Sequence, residues 1–320
     1  MKEAVWLSGV VGSYAAASKV LERIGKRSMS LTTVWRCVEK WGGAAQAVES
    51  ERADKANGLP SKGEERGQAN RPRVRLGAAL DGAMVNIRQE GWKELKVGCV
   101  FAIEPQSVLD SKTQEVVEQG HAADLTYAAR LGGPDAIGRL LWTEAQRRGW
   151  ETATDSQFLG DGAAWIWNVA DTYFAPQQQT VDWYHAAQHL HAAAQAYHPD
   201  LPIASSRWYN AAETLLFQGQ AETIVAQLTQ RAELFPTSSQ DLLAQATYFE
   251  NNKRRMQYLE LRENGYPIGS GMVESTAKQF KARFTGPGMR WSRHGIAHLL
   301  PIRSAILSNS FDQLWTTLDP

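Results

Sequence analysis

The chain has 320 residues, of which 43% are apolar, and its 34 basic side chains equal its 34 acidic ones. This length and composition are enough for a sizeable hydrophobic core and predict one large domain with a small appendage. No stretch approaches the roughly 18 apolar residues of a membrane span, and residues 1–16 lack the features of a signal peptide, so we expect a cytoplasmic protein. Cys37 and Cys99 lie far apart without a CxxC partner, which supports neither a disulfide framework nor a zinc knuckle.

Charge is unevenly distributed along the chain. Residues 1–80 carry 14 Lys or Arg against 8 Asp or Glu, residues 81–250 carry 10 against 21, and residues 251–320 carry 10 against 5. Basic segments on both sides of an acidic centre suit a protein that binds nucleic acid and places metal ions on it. Surface charge also segregates without function, so this pattern needs other signals beside it.

Residues 13–42 predict two short helices around a turn. Ser13 can begin the first helix and Ser30 can cap the second, which the glycine pair Gly42-Gly43 would end. Such a pair fits a helix-turn-helix DNA-binding unit over residues 1–45, although a plain helical hairpin fits equally well. The polar residues facing outward from the second helix would be Thr32, Thr33, Arg36 and Lys40.

Residues 46–72 are rich in Glu, Arg, Lys, Gly and Asn and contain scarcely any large apolar side chain. This composition predicts a flexible linker between the appendage and a main domain at 73–320. Within that domain, residues 200–263 look wholly helical and irregular, as expected of a helical insertion.

Three strand-like runs open the main domain, at residues 74–80, 84–88 and 95–103. The breaks between them are turn-forming, so an antiparallel meander is predicted, with Asp81 at the end of its first strand. Hairpin chemistry explains the Asp-Gly pair at this break as well as a functional role does. Residues 122–131 are predicted to be helical from their composition.

Two consecutive units then combine a strand, an acid and a helix. Residues 156–159 lead into Asp161, a strand around Thr180 leads into Asp182, and a helix follows each acid. In open α/β sheets the carboxyl ends of the strands face the crevice where ligands bind, so both acids are well placed for a functional site.

A late helix carries one acid among several cations. Residues 267–271 predict a tight turn, and residues 272–284 have helix-forming composition. Glu274 falls in the first turn, where the positive end of the helix favours a charged carboxylate, although a plain capping acid fits the same position. The cations that could bind a polyanion along this helix are Lys278, Lys281 and Arg283.

Four stretches of the chain resemble a known family. They read DGAMVNIRQEGWKELKVGCVF from residue 81, GDGAAWIWN from 160, VDWYHAAQHL from 181 and YFENNKRRMQYLELRENGYPIGSGMVESTAKQFK from 248. Together they resemble bacterial insertion-sequence transposases of the ISKra type, which have an RNase H-like α/β catalytic domain and an Asp-Asp-Glu triad. The resemblance extends from about Leu76 to Ser308.

The resemblance implies that Asp81, Asp161 and Glu274 are catalytic acids that bind two Mg²⁺ or Mn²⁺ ions. These ions would serve cleavage and strand transfer at the ends of a DNA element by a homo-oligomer. Two-metal phosphoryl transfer needs cations ~4 Å apart, and hard carboxylate oxygens suit them. Asp182 and His185 are similar to an Asp/Cys-x-x-His pair of related transposases that is thought to support the active site.

Two other functions remain open at the level of sequence. Members of the family usually carry more sequence ahead of the helix pair, so a truncated copy that binds DNA without catalysis is one alternative. An unrelated carboxylate enzyme such as a glycosidase is the other, with two acids facing each other across a sugar and no metal.

Overall fold

The structure is a computed structural model that describes residues 1–56, 74–109, 115–175, 177–269 and 271–319. Its centre is a mixed sheet of five strands in the order β3-β2-β1-β4-β5. The strands are β1 Arg75–Ile87, β2 Gly91–Leu109, β3 Val116–Leu131, β4 Asp155–Gly160 and β5 Gln178–Val181. The first three form an antiparallel meander, and β4 and β5 run parallel to β1.

Helices cover both faces of this sheet. They are α1 Lys2–Val10, α2 Tyr14–Arg23, α3 Leu31–Lys55, α4 Pro134–Arg147, α5 Ala164–Tyr173, α6 Trp183–Tyr197, α7 Pro202–Phe217, α8 Ala221–Leu234, α9 Ser239–Asn252, α10 Tyr258–Glu263, α11 Gly271–Phe284, α12 Arg293–Leu307 and α13 Phe311–Leu318. Among the residues described, no helix is both long and apolar enough to cross a membrane.

Alternation along β1 assigns its side chains to two cores. Leu76, Ala78 and Leu80 point toward a core that they share with helices α4 to α10. Ala83 and Val85 belong to the opposite core, which they share with α1, α3, α11, α12 and α13. A strand that is apolar on both faces must be covered on both, which explains why helices flank the sheet on each side.

An antiparallel meander forms, but not from the three predicted strands, because the runs at 74–80 and 84–88 are parts of the single strand β1. Asp81 does not end a strand, because β1 continues through Asp81-Gly82 and both residues pair with β2, Asp81 with Val97. Residues 122–131 were expected to be helical and instead belong to β3, which pairs with β2 along its length. Pairing within the sheet overrides the helix propensity of this alanine-rich run.

The helices α2 and α3 begin where the sequence predicts, capped by the side chains of Ser13 and Ser30. The second helix does not end at Gly42-Gly43 but runs on to Lys55. Residues 46–55, predicted to be flexible linker, are therefore helical, and the rest of the predicted linker lies mostly outside the described residues. Burial of Trp41 and Ala45 in the core around α12 stabilises the longer helix.

Residues 200–263 are helical as predicted and form α7 to α10. From its sequence alone, the run 292–309 predicts a last amphipathic helix interrupted near Pro301, but α12 continues through that proline. Most of α12 is buried, which helps to offset the hydrogen bond that a proline removes. Along the sequence, α7 to α10 lie between α6 and α11, the helix that bears Glu274.

Candidate functional site

Three aspartates lie side by side across three neighbouring parallel strands. Asp81 lies within β1, and Asp161 and Asp182 directly follow β4 and β5. Ala79 of β1 pairs with Leu159 of β4, and Gly160 of β4 pairs with Val181 of β5. Continuing the first register by two residues places position 81 beside 161, and continuing the second by one residue places 161 beside 182. The three positions therefore fall on one line across the sheet. Neighbouring strands lie ~4.8 Å apart, so the backbones at successive positions on this line are close. Among the described residues, the three aspartate side chains do not form a group of three ligand atoms within 4.8 Å of one another.

Asp81 interrupts an apolar row on the face of β1 that meets α11. Ala79, Ala83 and Val85 on this row are fully buried, and Asp81 itself is partly buried. Its carboxylate accepts a hydrogen bond of 2.7 Å from the Gly82 N–H. Burial raises the pKa of Asp81 and the Asp161 charge adds to this, against the opposing effects of the Gly82 hydrogen bond, His185 and Lys281.

Asp161 occupies a tight turn between β4 and α5. Its carboxylate accepts a hydrogen bond of 2.7 Å from the Ala163 N–H, which stabilises the start of the helix. Gly162 has φ of 103°, and a Cβ there would lie 2.7 Å from the ring of Tyr248. Only glycine readily adopts this positive φ without a clash against Tyr248, which explains the second glycine of the GDG sequence at 160–162.

Asp182 and His185 begin α6 beside the other acids. Asp182 is 1% exposed, and its Oδ1 accepts hydrogen bonds from the N–H groups of Tyr184 at 2.7 Å and His185 at 3.1 Å. The same oxygen lies 3.5 Å from His185 Nδ1. Interaction with the Asp182 carboxylate raises the pKa of His185, and the Asp161 and Asp81 charges act in the same direction against burial. The three carboxylates therefore favour the protonated form of His185.

Asp81, Asp182 and His185 line one cavity of about 260 Å³ between β1, α6 and α11. Its lining consists of Asp81, Gly82, Asp182, Tyr184, His185, Gln188, Ala277, Lys278 and Lys281. The structure thus brings together five of the predicted site residues, with Asp161 acting electrostatically on two of them.

The segment 264–269 holds the beginning of α11 against the parallel strands. Its carbonyl groups accept hydrogen bonds of 2.8 to 2.9 Å from the side chains of Arg75 and Gln157 and from the backbone N–H of Trp183. These donors belong to β1, β4 and α6, the elements that carry the three aspartates. The glycine-rich turn therefore fixes α11 beside the acids.

Glu274 lies in the first turn of α11, and its side chain is outside the residues described. It precedes Lys278 by four residues and Lys281 by seven, and residues at these spacings share one face of a helix. Both lysines line the cavity. The predicted convergence of Glu274 with the aspartates stays a prediction that helical spacing favours.

Arg283 was predicted to contact DNA and is instead buried, with an exposed fraction of 2%. Its guanidinium donates a hydrogen bond of 2.7 Å to the Ser8 carbonyl of α1 and lies 5.0 Å from the centre of the Trp291 ring. Burial lowers the pKa of Arg283 to about 10. This side chain joins α1 to α11 and has no surface to offer a phosphate.

The other residues predicted to bind DNA from the N-terminal helices lie at the surface. Thr33, Arg36 and Lys40 of α3 are exposed, and Lys40 extends over the ring of Trp41 at 4.5 Å from its centre. Their exposure is compatible with an interaction but does not identify a partner.

Tyr248 is a component of this region that sequence reasoning missed. Its hydroxyl donates a hydrogen bond of 3.0 Å to the Asp161 carbonyl, and its ring stacks on His189 with 3.5 Å between ring centres. Burial raises the pKa of Tyr248, and the Asp161 and Asp182 charges raise it further. Tyr248 opens the last of the four family-like stretches, which was the only signal for it in the sequence.

Searches with protein-family models and of curated proteins found no match to this chain. The likeness to transposases therefore depends on the four motifs, and the structure adds the positions of their acids. Residues from the first three motifs meet at or beside one cavity, and the fourth supplies two lysines of its lining.

Proposed function

We propose that this chain is a DNA transposase of the Asp-Asp-Glu type. It would cleave a phosphodiester bond at the ends of a mobile element and join the freed 3′ end to target DNA. The shared register of positions 81, 161 and 182 on three parallel strands carries the proposal, because it places acids from distant parts of the sequence side by side.

The architecture supports the same proposal. An antiparallel meander followed by two parallel strands, with helices on both faces, is compatible with an RNase H-like domain. Along the sequence, α7 to α10 precede the helix that bears Glu274, as a helical insertion of such a transposase would. The α2–α3 pair would then serve as the helix-turn-helix reader of DNA.

The donor set suits hard divalent cations. Asp81 and Asp161 supply carboxylate oxygens, Glu274 would supply a third carboxylate, and Mg²⁺ and Mn²⁺ prefer oxygen ligands. Such cations, when bound, would activate the attacking oxygen and stabilise the leaving oxygen in phosphoryl transfer. Burial disfavours the charged form of Asp81, and a cation bound by its carboxylate would oppose that effect.

The remaining groups of the cavity would position DNA. Lys278 and Lys281 place positive charge along the α11 side, where the phosphates of a bound strand would lie. His185 lies beside Asp182 on the α6 side and would add a positive charge there when it is protonated. Tyr248 fixes the Asp161 turn through its hydrogen bond to the Asp161 carbonyl.

Cleavage of a supercoiled plasmid that carries the DNA flanking the gene in its source genome tests this function. We expect nicking that depends on Mg²⁺ or Mn²⁺ in the wild-type protein. Asp81→Asn, Asp161→Asn and Glu274→Gln should each reduce the rate at least about 100-fold, since each removes a charged ligand. The matched control is Asp171→Asn, which changes an exposed aspartate on α5 and should nick at the wild-type rate.

Nicking by the three variants at the wild-type rate would refute the assignment. A wild-type protein that shifts the same DNA in a gel but yields no product with either cation would point to the alternative function, a copy that binds DNA without catalysis.

A further inference from the structure

A second group of ligand-type side chains joins α3 to α12, away from the cavity of the aspartates. Glu39 of α3 faces His294 and His298, which lie one turn apart on α12. The Glu39 Oε2 atom lies 2.9 Å from His294 Nε2 and 3.6 Å from His298 Nδ1. One ligand atom from each of the three residues lies within 4.8 Å of the others.

We propose that Glu39, His294 and His298 form a binding site for a divalent transition-metal ion, for which Zn²⁺ is the best match. Two imidazole nitrogens and one carboxylate oxygen form a donor set that Zn²⁺ commonly takes. In a tetrahedral site with bonds of about 2.0 Å, neighbouring ligand atoms lie roughly 3.3 Å apart. The distances from Glu39 to the two histidines lie on either side of that value, so small side-chain rotations suffice for coordination.

Two of the ligands are largely buried and incompletely bonded. The side chain of Glu39 is 19% exposed and that of His298 is 11% exposed. Glu39 Oε1 and His298 Nδ1 are buried atoms without a hydrogen-bond partner. Burial of unsatisfied polar atoms costs free energy, which a bound cation would offset. Burial also lowers the pKa of His298, with His294 acting in the same direction and Glu39 against it, which favours the neutral form that a ligand needs.

The backbone brings the two helices unusually close at this point. A Cβ on Gly42 would lie 2.3 Å from the His298 carbonyl oxygen, and a Cβ on Gly43 would lie 3.2 Å from the His298 ring. Glycine in a helix interior costs about 1 kcal/mol relative to alanine, so this pair is better explained by close packing than by helix propensity. Its effect is to set Glu39, one turn earlier on α3, against the histidine pair.

The site would act as a clamp between the N-terminal helices and the last part of the main domain. Three protein ligands leave one coordination position, on the side of the more exposed His294. Because α3 also carries Arg36 and Lys40, occupancy of the clamp would fix the orientation of that exposed face relative to α12. This role does not depend on the proposed transposase activity.

Titration of the full chain, without a polyhistidine tag, with Co²⁺ and Zn²⁺ tests the clamp. His185 and the aspartates could also bind metal, so the titration uses an Asp161→Asn/His185→Gln background. We expect one equivalent of Co²⁺ with the intense visible absorption of a tetrahedral site, and displacement by Zn²⁺. His294→Ala removes a side chain that is 68% exposed and should weaken Zn²⁺ binding at least tenfold.

A control and a second readout separate a clamp from a packing contact. Zn²⁺ should raise the thermal midpoint of the background protein and of a His191→Gln control, but not that of His294→Ala or Glu39→Gln. Equal Zn²⁺ affinity in the background protein and His294→Ala would overturn the proposal. So would the absence of a tetrahedral Co²⁺ spectrum.

Discussion

Protonation of His185 adds one positive charge close to Asp81, Asp161 and Asp182. Its pKa is raised in the folded protein, chiefly by the Asp182 carboxylate. A histidine with a raised folded pKa contributes stability that is fully present below its unfolded pKa of about 6.5 and is lost as pH rises through the folded value. His185→Gln should therefore lower the free energy of unfolding more at about pH 5.5 than at about pH 8.5.

Urea denaturation at the two pH values measures this difference. The control is His191→Gln on the same helix, where the ring lies at the surface and contacts Gln195. Its effect on the unfolding free energy should be small and similar at both pH values. A destabilisation by His185→Gln that is equal at both pH values would show that the ring is held by packing and not by the Asp182 charge.

Among single residues, the sequence predicted the acids better than the cations. Asp161 and Asp182 each follow a strand directly and precede a helix, a local pattern that can be read from composition and spacing. Arg283 shares the same basic helix as Lys278 and Lys281, but its burial follows from contact with α1, 275 residues away. No periodicity within α11 could reveal that partner.

At the scale of elements, the C-terminal part of α3 shows what composition misses. Residues 46–55 are polar enough to predict a linker, yet the helix is held by a face that includes Ala45 and Glu49. The Glu49 carboxylate lies 3.4 Å from Arg130 of β3. Burial raises the pKa of Glu49 to about 7, with Arg130 opposing the shift.

This burial predicts a pH-dependent stability change for Glu49→Gln. An acid whose folded pKa is raised favours folding while it is protonated, and that contribution is lost as pH rises from about 4.5 through about 7. The Gln variant should therefore be more stable than the wild-type protein at about pH 8, by roughly 1–2 kcal/mol. At about pH 5 the two proteins should differ little.

Thermal and urea denaturation of Glu49→Gln across this pH range provide the measurement. Asp54→Asn, which changes an exposed carboxylate one to two turns further along α3, is the matched control. A Glu49→Gln variant that is less stable than the wild-type protein at about pH 8 would mean that the Arg130 ion pair outweighs the cost of burial.

Elements with a strong local pattern were predicted, and those defined by distant partners were not. The capped starts of α2 and α3 and the strand-acid-helix units follow from residues adjacent in sequence. The strand at 116–131 depends on pairing with β2, and the passage of α3 through Gly42-Gly43 depends on contact with His298. Both require knowledge of the packed molecule.

At the scale of the whole molecule, three neighbouring parallel strands bring positions 81, 161 and 182 side by side. The sequence predicted each of Asp81, Asp161 and Asp182 at the end of a strand, which is wrong for Asp81, and only the register of β1, β4 and β5 aligns the three positions. The hydrogen bonds to residues 264–269 then bring α11 beside these positions. Metal-dependent chemistry on DNA is proposed from this convergence and from the family-like motifs together.

Crystals grown with Mn²⁺ and a short DNA duplex would test the convergence most directly, through anomalous difference density at the manganese edge. We predict manganese within about 2.0 to 2.6 Å of carboxylate oxygens of both Asp81 and Asp161, with Glu274 as a further ligand. Ordered Asp81 and Asp161 side chains without manganese between them, or a Glu274 carboxylate directed away from both, would contradict the account.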